Sequence, residues 1–167
     1  IHRLTDINSG ASMLLGPVLD SFRSASILKN LNSLHIRMQK HGANALYLAR
    51  KLKGLGLDVH YPGLPAHPQH RLMKRLMNPD FGFGGVLAFD AGSEKRADAL
   101  MTRMQEAKVG YLAVSLGYFK TLFSAPSHST SSEIPADEQK RMGLRSGLVR
   151  MSVGLDHDVE ETFRRIK

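Results

Sequence analysis

The strongest constraint on the fold comes from the run Gly147-Leu148-Val149-Arg150-Met151-Ser152-Val153-Gly154. It reads as a buried strand of apolar and β-branched residues bounded by glycines, yet it carries an arginine at its centre. A guanidinium cannot shed its charge by losing a proton, so placing it between Val149 and Met151 is costly unless an anion is near. Its planar fork offers two parallel donors, which match a carboxylate. Arg150 is therefore read as a carboxylate binder. The carboxylate is either a substrate's or one from elsewhere in the fold, such as that of Asp90 or Glu133. A second run, Tyr111-Leu112-Ala113-Val114-Ser115-Leu116-Gly117, has the same form of a buried strand stopped by glycine. It puts Ser115 at its carboxyl end.

Other segments alternate around these two. Pro17 suits the first position of a helix that continues through Val18, Leu19, Phe22, Ile27 and Leu28, after an arm over residues 1 to 16. A break at Asn30 to Ser33 follows, with Ser33 placed to cap the next helix. There Leu34, Met38, His41, Ala45, Leu48, Leu52 and Leu55 recur at spacings of three and four, one stripe down a long amphipathic helix that Gly54 and Gly56 stop. His41 lies on that stripe, where a histidine satisfied by a backbone carbonyl is the expected reading. Strands are expected near 57 to 61 and 85 to 90. Phe81-Gly82-Phe83-Gly84-Gly85 lacks the lysine and following helix of a phosphate cradle, and reads as a tight entry into a sheet. Ser93 caps a helix through Ala97, Leu100 and Met104. Residues 126 to 132 are loop, 135 to 142 a short helix, and 157 to 167 a last helix that starts acidic and ends basic, in agreement with its dipole. His67-Pro68-Gln69-His70 offers two imidazoles and no carboxylate or thiolate at ligand spacing, so it reads as a helix start and no metal site is expected.

The 167 residues suffice for one domain with a real core. There is no cysteine, hence no disulfide framework or thiolate metal site. No apolar run approaches membrane-spanning length. The absence of a starting methionine points to a piece of something longer. A net charge of +8 permits an anionic partner, but the cations are scattered and no aromatic residues interleave with them. A solvated surface therefore accounts for them better than a nucleic-acid footprint.

The two strand runs, joined by Ser-Ser-Glu-Ile-Pro-Ala-Asp-Glu at 131 to 138, resemble the C-terminal part of the pyridoxal-phosphate (PLP) enzymes of cysteine and methionine metabolism. Within that group Tyr61-Pro62-Gly63-Leu64, His67-Pro68-Gln69-His70 and Phe81 to Gly85 are most similar to the methionine gamma-lyases and cystathionine gamma-lyases. The likeness runs from about Ser12 to the end. It implies an α/β fold, the C-terminal domain of a fold-type I PLP enzyme: a small, mostly antiparallel sheet packed against helices and preceded by a long linking helix. Residues 1–33 would be an arm and helix from the end of the PLP-binding domain, and 34–167 the substrate-carboxylate domain. In the family the residues that hold the substrate carboxylate match Ser115 and Arg150. The resemblance also implies that the backbone of Leu116 lies near the substrate. Thr130 matches a family threonine, although Ser129 and Ser131 replace its usual neighbours.

The resemblance further implies a carbon–sulfur lyase of the transsulfuration type, acting on a sulfur amino acid in a cytoplasmic homotetramer, with no nucleic-acid or membrane partner. PLP chemistry needs a lysine for its Schiff base. No lysine here stands in the Ser-x-Thr-Lys setting of relatives, so no catalytic residue is assigned, and the chain alone is expected to be inactive. The rival readings are a noncatalytic basic module that binds an anionic partner and a degenerate subunit that assembles with complete copies.

Overall fold

The structure, a computed structural model, describes residues 18–167. It divides into two compact units between Leu34 and His35. In the first, helix α1 (Ser21–Leu31) is capped by Asp20, whose carboxylate accepts from the Arg23 amide at 3.0 Å and pairs with its guanidinium at 2.8 Å. That local clasp starts the helix later than a proline at its first position would. Val18 and Leu19 precede it as non-helical chain. Pro17 and the arm at 1 to 16 lie outside the described residues. No residue of α1 is buried, and Phe22 is 91% exposed.

The long helix α2 (Leu34–Gly54) follows, with His41, Ala45, Leu48 and Leu52 of the expected stripe buried along its middle. The stripe's ends, Leu34 and Leu55, are exposed. Five strands then form one sheet: β1 (Asp58–His60), β2 (Val86–Asp90), β3 (Gly110–Leu112), β4 (Thr121–Ser124) and β5 (Leu148–Ser152), in the order β1-β2-β5-β4-β3. All neighbours are antiparallel except β3 and β4. The remaining helices are α3 (His70–Leu76), α4 (Glu94–Glu106), α5 (Ala136–Arg141) and α6 (Val159–Ile166). Ser93 caps α4 as its sequence requires, accepting from the Arg96 amide.

One sheet face carries the core. Leu87, Phe89, Phe123, Val149 and Met151 pack with Ala45, Leu48, Ala49 and Leu52 of α2 and with Ala97, Met101 and Met104 of α4. The helix α2 also fastens the chain just beyond β5. His41 Nδ1 donates to the Val153 carbonyl at 2.6 Å, and Asn44 Nδ2 donates to the carbonyls of Gly154 and Asp156, each at 3.0 Å. The backbone-satisfied histidine expected at position 41 is thus the one found. The glycine loop at 81 to 85 packs tightly on the same helix, since a Cβ on Gly85 would lie 2.9 Å from the His41 Cβ. His67 and His70 serve locally. The first accepts from the Gln69 amide, and the second bonds the Pro62 carbonyl and stacks on Phe83. Behind that loop the buried Tyr61 donates its hydroxyl to the Gly84 carbonyl, and burial pushes its pKa up to about 12.

Two expectations are corrected. The run at 111 to 117 is not a buried strand: pairing stops at Leu112, and Val114 and Leu116 are exposed. A parallel partner demands a crossover, and Ala113 to Lys120 makes it, so those residues carry the chain from the end of β3 to the start of β4 and cannot extend β3. The other correction is β4 itself, which lies inside what the sequence suggests is connecting chain. All four of its residues are buried, so it shows no alternation for periodicity to detect. The loop at 126 to 132 also contains a 3-10 turn, Pro126–His128.

At the far end of the sheet Arg145 Nη1 bridges Asp90 Oδ2 at 3.0 Å and Asp58 Oδ2 at 3.2 Å, while the Gly92 amide donates to Asp90 Oδ1 at 2.7 Å. The Gly92 N–H first, and then Arg145, hold the Asp90 carboxyl below its ordinary range. A depressed folded value stabilises the fold above the unfolded value of about 4 and loses that contribution as pH falls through the folded one. Asp90→Asn is therefore expected to lower the urea midpoint at pH 7, with the gap to the native chain closing as the pH is taken below about 4. A gap that stays constant with pH would contradict this account.

Candidate functional site

Alternation along β5 decides where each side chain goes. Val149 and Met151 are fully buried toward the helices, which turns Leu148, Arg150 and Ser152 to the opposite face. Across the sheet Arg150 is paired with Ala88 on β2 and Ser124 on β4. These two small residues leave room for the guanidinium. Arg150 is half-buried, and its Nε is buried with no hydrogen-bond partner among the described residues. An unsatisfied buried donor costs about 1–3 kcal/mol. Packing alone would not select such a residue.

The internal acids proposed as its partners do not take that role. Asp90 shares Arg150's face of the sheet, but its carboxylate is occupied by Gly92 and Arg145. Glu133 is exposed. Among the described residues Arg150 forms no ion pair, whereas Arg23, Arg141, Arg145, Arg164 and Arg165 all do.

Ser115 and Leu116 sit on the crossover between β3 and β4, both exposed. The segment is held by the Gly117 amide, which donates to Ser152 Oγ at 3.1 Å, and Gly117 itself adopts φ +70°. Ser152 stands two residues from Arg150 on the same face, so this bond ties the Ser115 segment to the arginine's side of the sheet. The crossover closes further where the Leu155 amide donates to the Phe119 carbonyl at 2.8 Å. Gly154 allows that approach, because a Cβ there would lie 2.6 Å from the backbone of Lys120 and Thr121. Thr130 is exposed beyond the 3-10 turn and makes no hydrogen bond to either segment among the described residues. Sequence reasoning overlooked Ser152, although its spacing of two from Arg150 on a strand was enough to place both on one face. It also overlooked Ser124, which became visible only once β4 was seen.

Comparison with known proteins identifies the class. A family model described as Cys/Met metabolism PLP-dependent enzyme matches residues 4–164, and the chain belongs to that family. Among its relatives, methionine gamma-lyase from Arabidopsis thaliana is 38% identical over 168 residues, covering 100% of this chain and 38% of the relative. Cystathionine gamma-lyase from Dictyostelium discoideum is 35% identical over 144 residues, covering 85% and 36%. Among solved structures, cystathionine gamma synthase from Xanthomonas oryzae pv. oryzae in complex with cystathionine superimposes with a TM-score of 0.81 at 28% identity, covering 93% of this chain and 39% of that one. The α/β fold, with its mostly antiparallel sheet, is that of fold-type I PLP enzymes. The chain spans less than two-fifths of the length of these relatives.

The family's cofactor is anchored through a lysine amine, and the residues here do not fit that role. Every lysine is exposed except the half-buried Lys40, whose Nζ donates to the His157 carbonyl at 3.4 Å, and no strand carries one. What the site offers is anion binding, by a guanidinium on one sheet face with a serine-bearing loop beside it. Among the described residues no helix is long and apolar enough to cross a membrane.

If Ser152 holds the crossover, Ser152→Ala frees the Gly117 N–H at a cost of about 1 kcal/mol. Hydrogen exchange at Gly117 and its neighbours should then quicken while the amides of β5 keep their protection. Unchanged exchange at Gly117 would show that the crossover is held by other contacts.

Proposed function

We propose that this chain supplies the substrate-carboxylate half of a PLP-dependent carbon–sulfur lyase of sulfur amino acid metabolism, methionine gamma-lyase-like in character. The observation that carries the reading is Arg150, which forms no ion pair among the described residues and whose buried Nε has no partner among them, on a sheet whose sequence and fold belong to this family. In this reading Arg150 grips the carboxylate of the amino acid, and Ser115 with the Leu116 backbone lines the same space. Thr130 is placed there by its match to the family threonine alone, since it makes no hydrogen bond to Arg150 among the described residues. Residues 1–33 belong with the cofactor-binding part, and 34–167 form the carboxylate-binding domain. The complete enzyme is a cytoplasmic homotetramer. PLP, bound by the other part, would supply the electron sink for cleaving the carbon–sulfur bond, and the residues here bind and orient the substrate. The basic-module alternative draws no support from the cations, several of which are spent on nearby carboxylates.

The test joins this segment to the cofactor-binding part of the Arabidopsis relative and compares Arg150→Lys with the parent. Lysine keeps the charge and loses the fork. The loss should fall on kcat/KM for L-methionine, on the order of 2–4 kcal/mol, with PLP content unchanged. A destabilised variant with normal kcat/KM per bound PLP would instead assign Arg150 a structural role.

A further inference from the structure

We propose that Ser124 is a positioning residue for Arg150, its hydroxyl oxygen accepting the Nε–H so that the two Nη groups are presented to a carboxylate. This rests on the reading of Arg150 as a carboxylate binder. Among the described residues only three buried side-chain polar atoms lack a hydrogen-bond partner: Ser124 Oγ, Ser127 Oγ and Arg150 Nε. Two of the three face each other. Ser124 is the direct antiparallel partner of Arg150, which sets the Cβ atoms about 5 Å apart on one face of the sheet. Ser124 is only 5% exposed.

Of the side-chain oxygens flanking Arg150 in the sheet, Ser124 Oγ is the one with no hydrogen bond of its own. Ala88, on the opposite flank, has no polar side-chain atom. Ser152 Oγ already accepts from the Gly117 amide, and Asp90 is held by Gly92 and Arg145. Ser127, whose Oγ is also unpartnered, lies in the 3-10 turn that packs against β5, but it is Ser124 that stands directly opposite Arg150 in the sheet. Solvent does not reach the Arg150 Nε, so only a protein neighbour can satisfy it when the Nη groups engage an anion end-on. A hydroxyl suits this position better than a carboxylate would. It accepts the Nε–H without contributing a negative charge that competes with the ligand for the guanidinium. The two groups are cross-strand neighbours, and neither atom has a hydrogen-bond partner among the described residues. Ordering of the guanidinium by a carboxylate brings them together and repays the cost of the two orphans.

The test uses the 15N-labelled chain and follows the Arg150 Nε–Hε resonance, assigned by its loss in Arg150→Lys. L-methionine is the probe, with sodium chloride at matched ionic strength as the blank. In the native chain, L-methionine should move the Nε–Hε signal downfield and slow its exchange with solvent about tenfold, the scale of one hydrogen bond to a charged group. Ser124→Thr should behave alike. Ser124→Ala should keep the native amide spectrum, still shift the Nη signals on adding L-methionine, and lose both Nε–Hε effects. If Ser124→Ala shows the same Nε–Hε shift and slowing as the native chain, the role of Ser124 is overturned while Arg150 remains the carboxylate binder. If no Arg150 signal of the native chain responds to L-methionine beyond the chloride blank, the carboxylate reading falls, and this inference with it.

Discussion

Strand β5 sits at the centre of the sheet, with β2 on one side and β4 on the other, and its alternation commits every residue in it. Val149 and Met151 must enter the core, so Arg150 cannot. A slip of one residue would drive the guanidinium against α2 and α4 and expose the apolar pair. The register is fixed independently from the end of the strand. His41 and Asn44 of α2 take the carbonyls of Val153, Gly154 and Asp156, while the Gly85 carbonyl accepts from the Val153 amide. The same helix that fills the core therefore also sets where the arginine stands, and packing and site cannot be varied separately here.

Much of this was legible in the residues. The stripe of α2 and the Ser93 cap each rest on a local rule that tertiary context did not override. So did the backbone role of His41 and the acidic-to-basic order of α6. Arg150 was legible for a different reason: a charge in a run of β-branched and apolar residues violates local consistency, and such violations gather where a molecule binds. The failures are equally physical. β4 is buried on both faces and so short that it carries no period. The crossover from Ala113 to Lys120 has strand composition, yet Val114, Leu116, Tyr118 and Phe119 are exposed, because the parallel pairing of β3 with β4 consumes the segment as a connection. Asp90 looked available as a partner for Arg150, and only the fold could show that Arg145, from the chain just before β5, reaches it first.

The site is one-sided. The face that carries Arg150 offers donors, a guanidinium and the serine-bearing crossover pinned by Ser152, with the buried Ser124 hydroxyl opposite the guanidinium's Nε. No strand carries a lysine, and every lysine but the half-buried Lys40 is exposed. An anion-binding face without an amine nucleophile fits a division of labour in which one part of an enzyme fixes the substrate and another carries the reactive group. It also accounts for the cost of leaving Arg150 Nε and Ser124 Oγ unsatisfied in this chain, because a donor and acceptor set to pair once the Nη groups meet a ligand need no other partners within the fold.

The central claim is that Arg150 meets the substrate's carboxylate. The most direct measurement is a crystal structure of the segment joined to a cofactor-binding part, with PLP in place and L-methionine trapped below its reaction rate. The account predicts both Nη atoms of Arg150 at about 2.9 Å from the two carboxylate oxygens, with the Ser115 segment alongside. A carboxylate held elsewhere, with Arg150 turned to an acid of the protein, would contradict it.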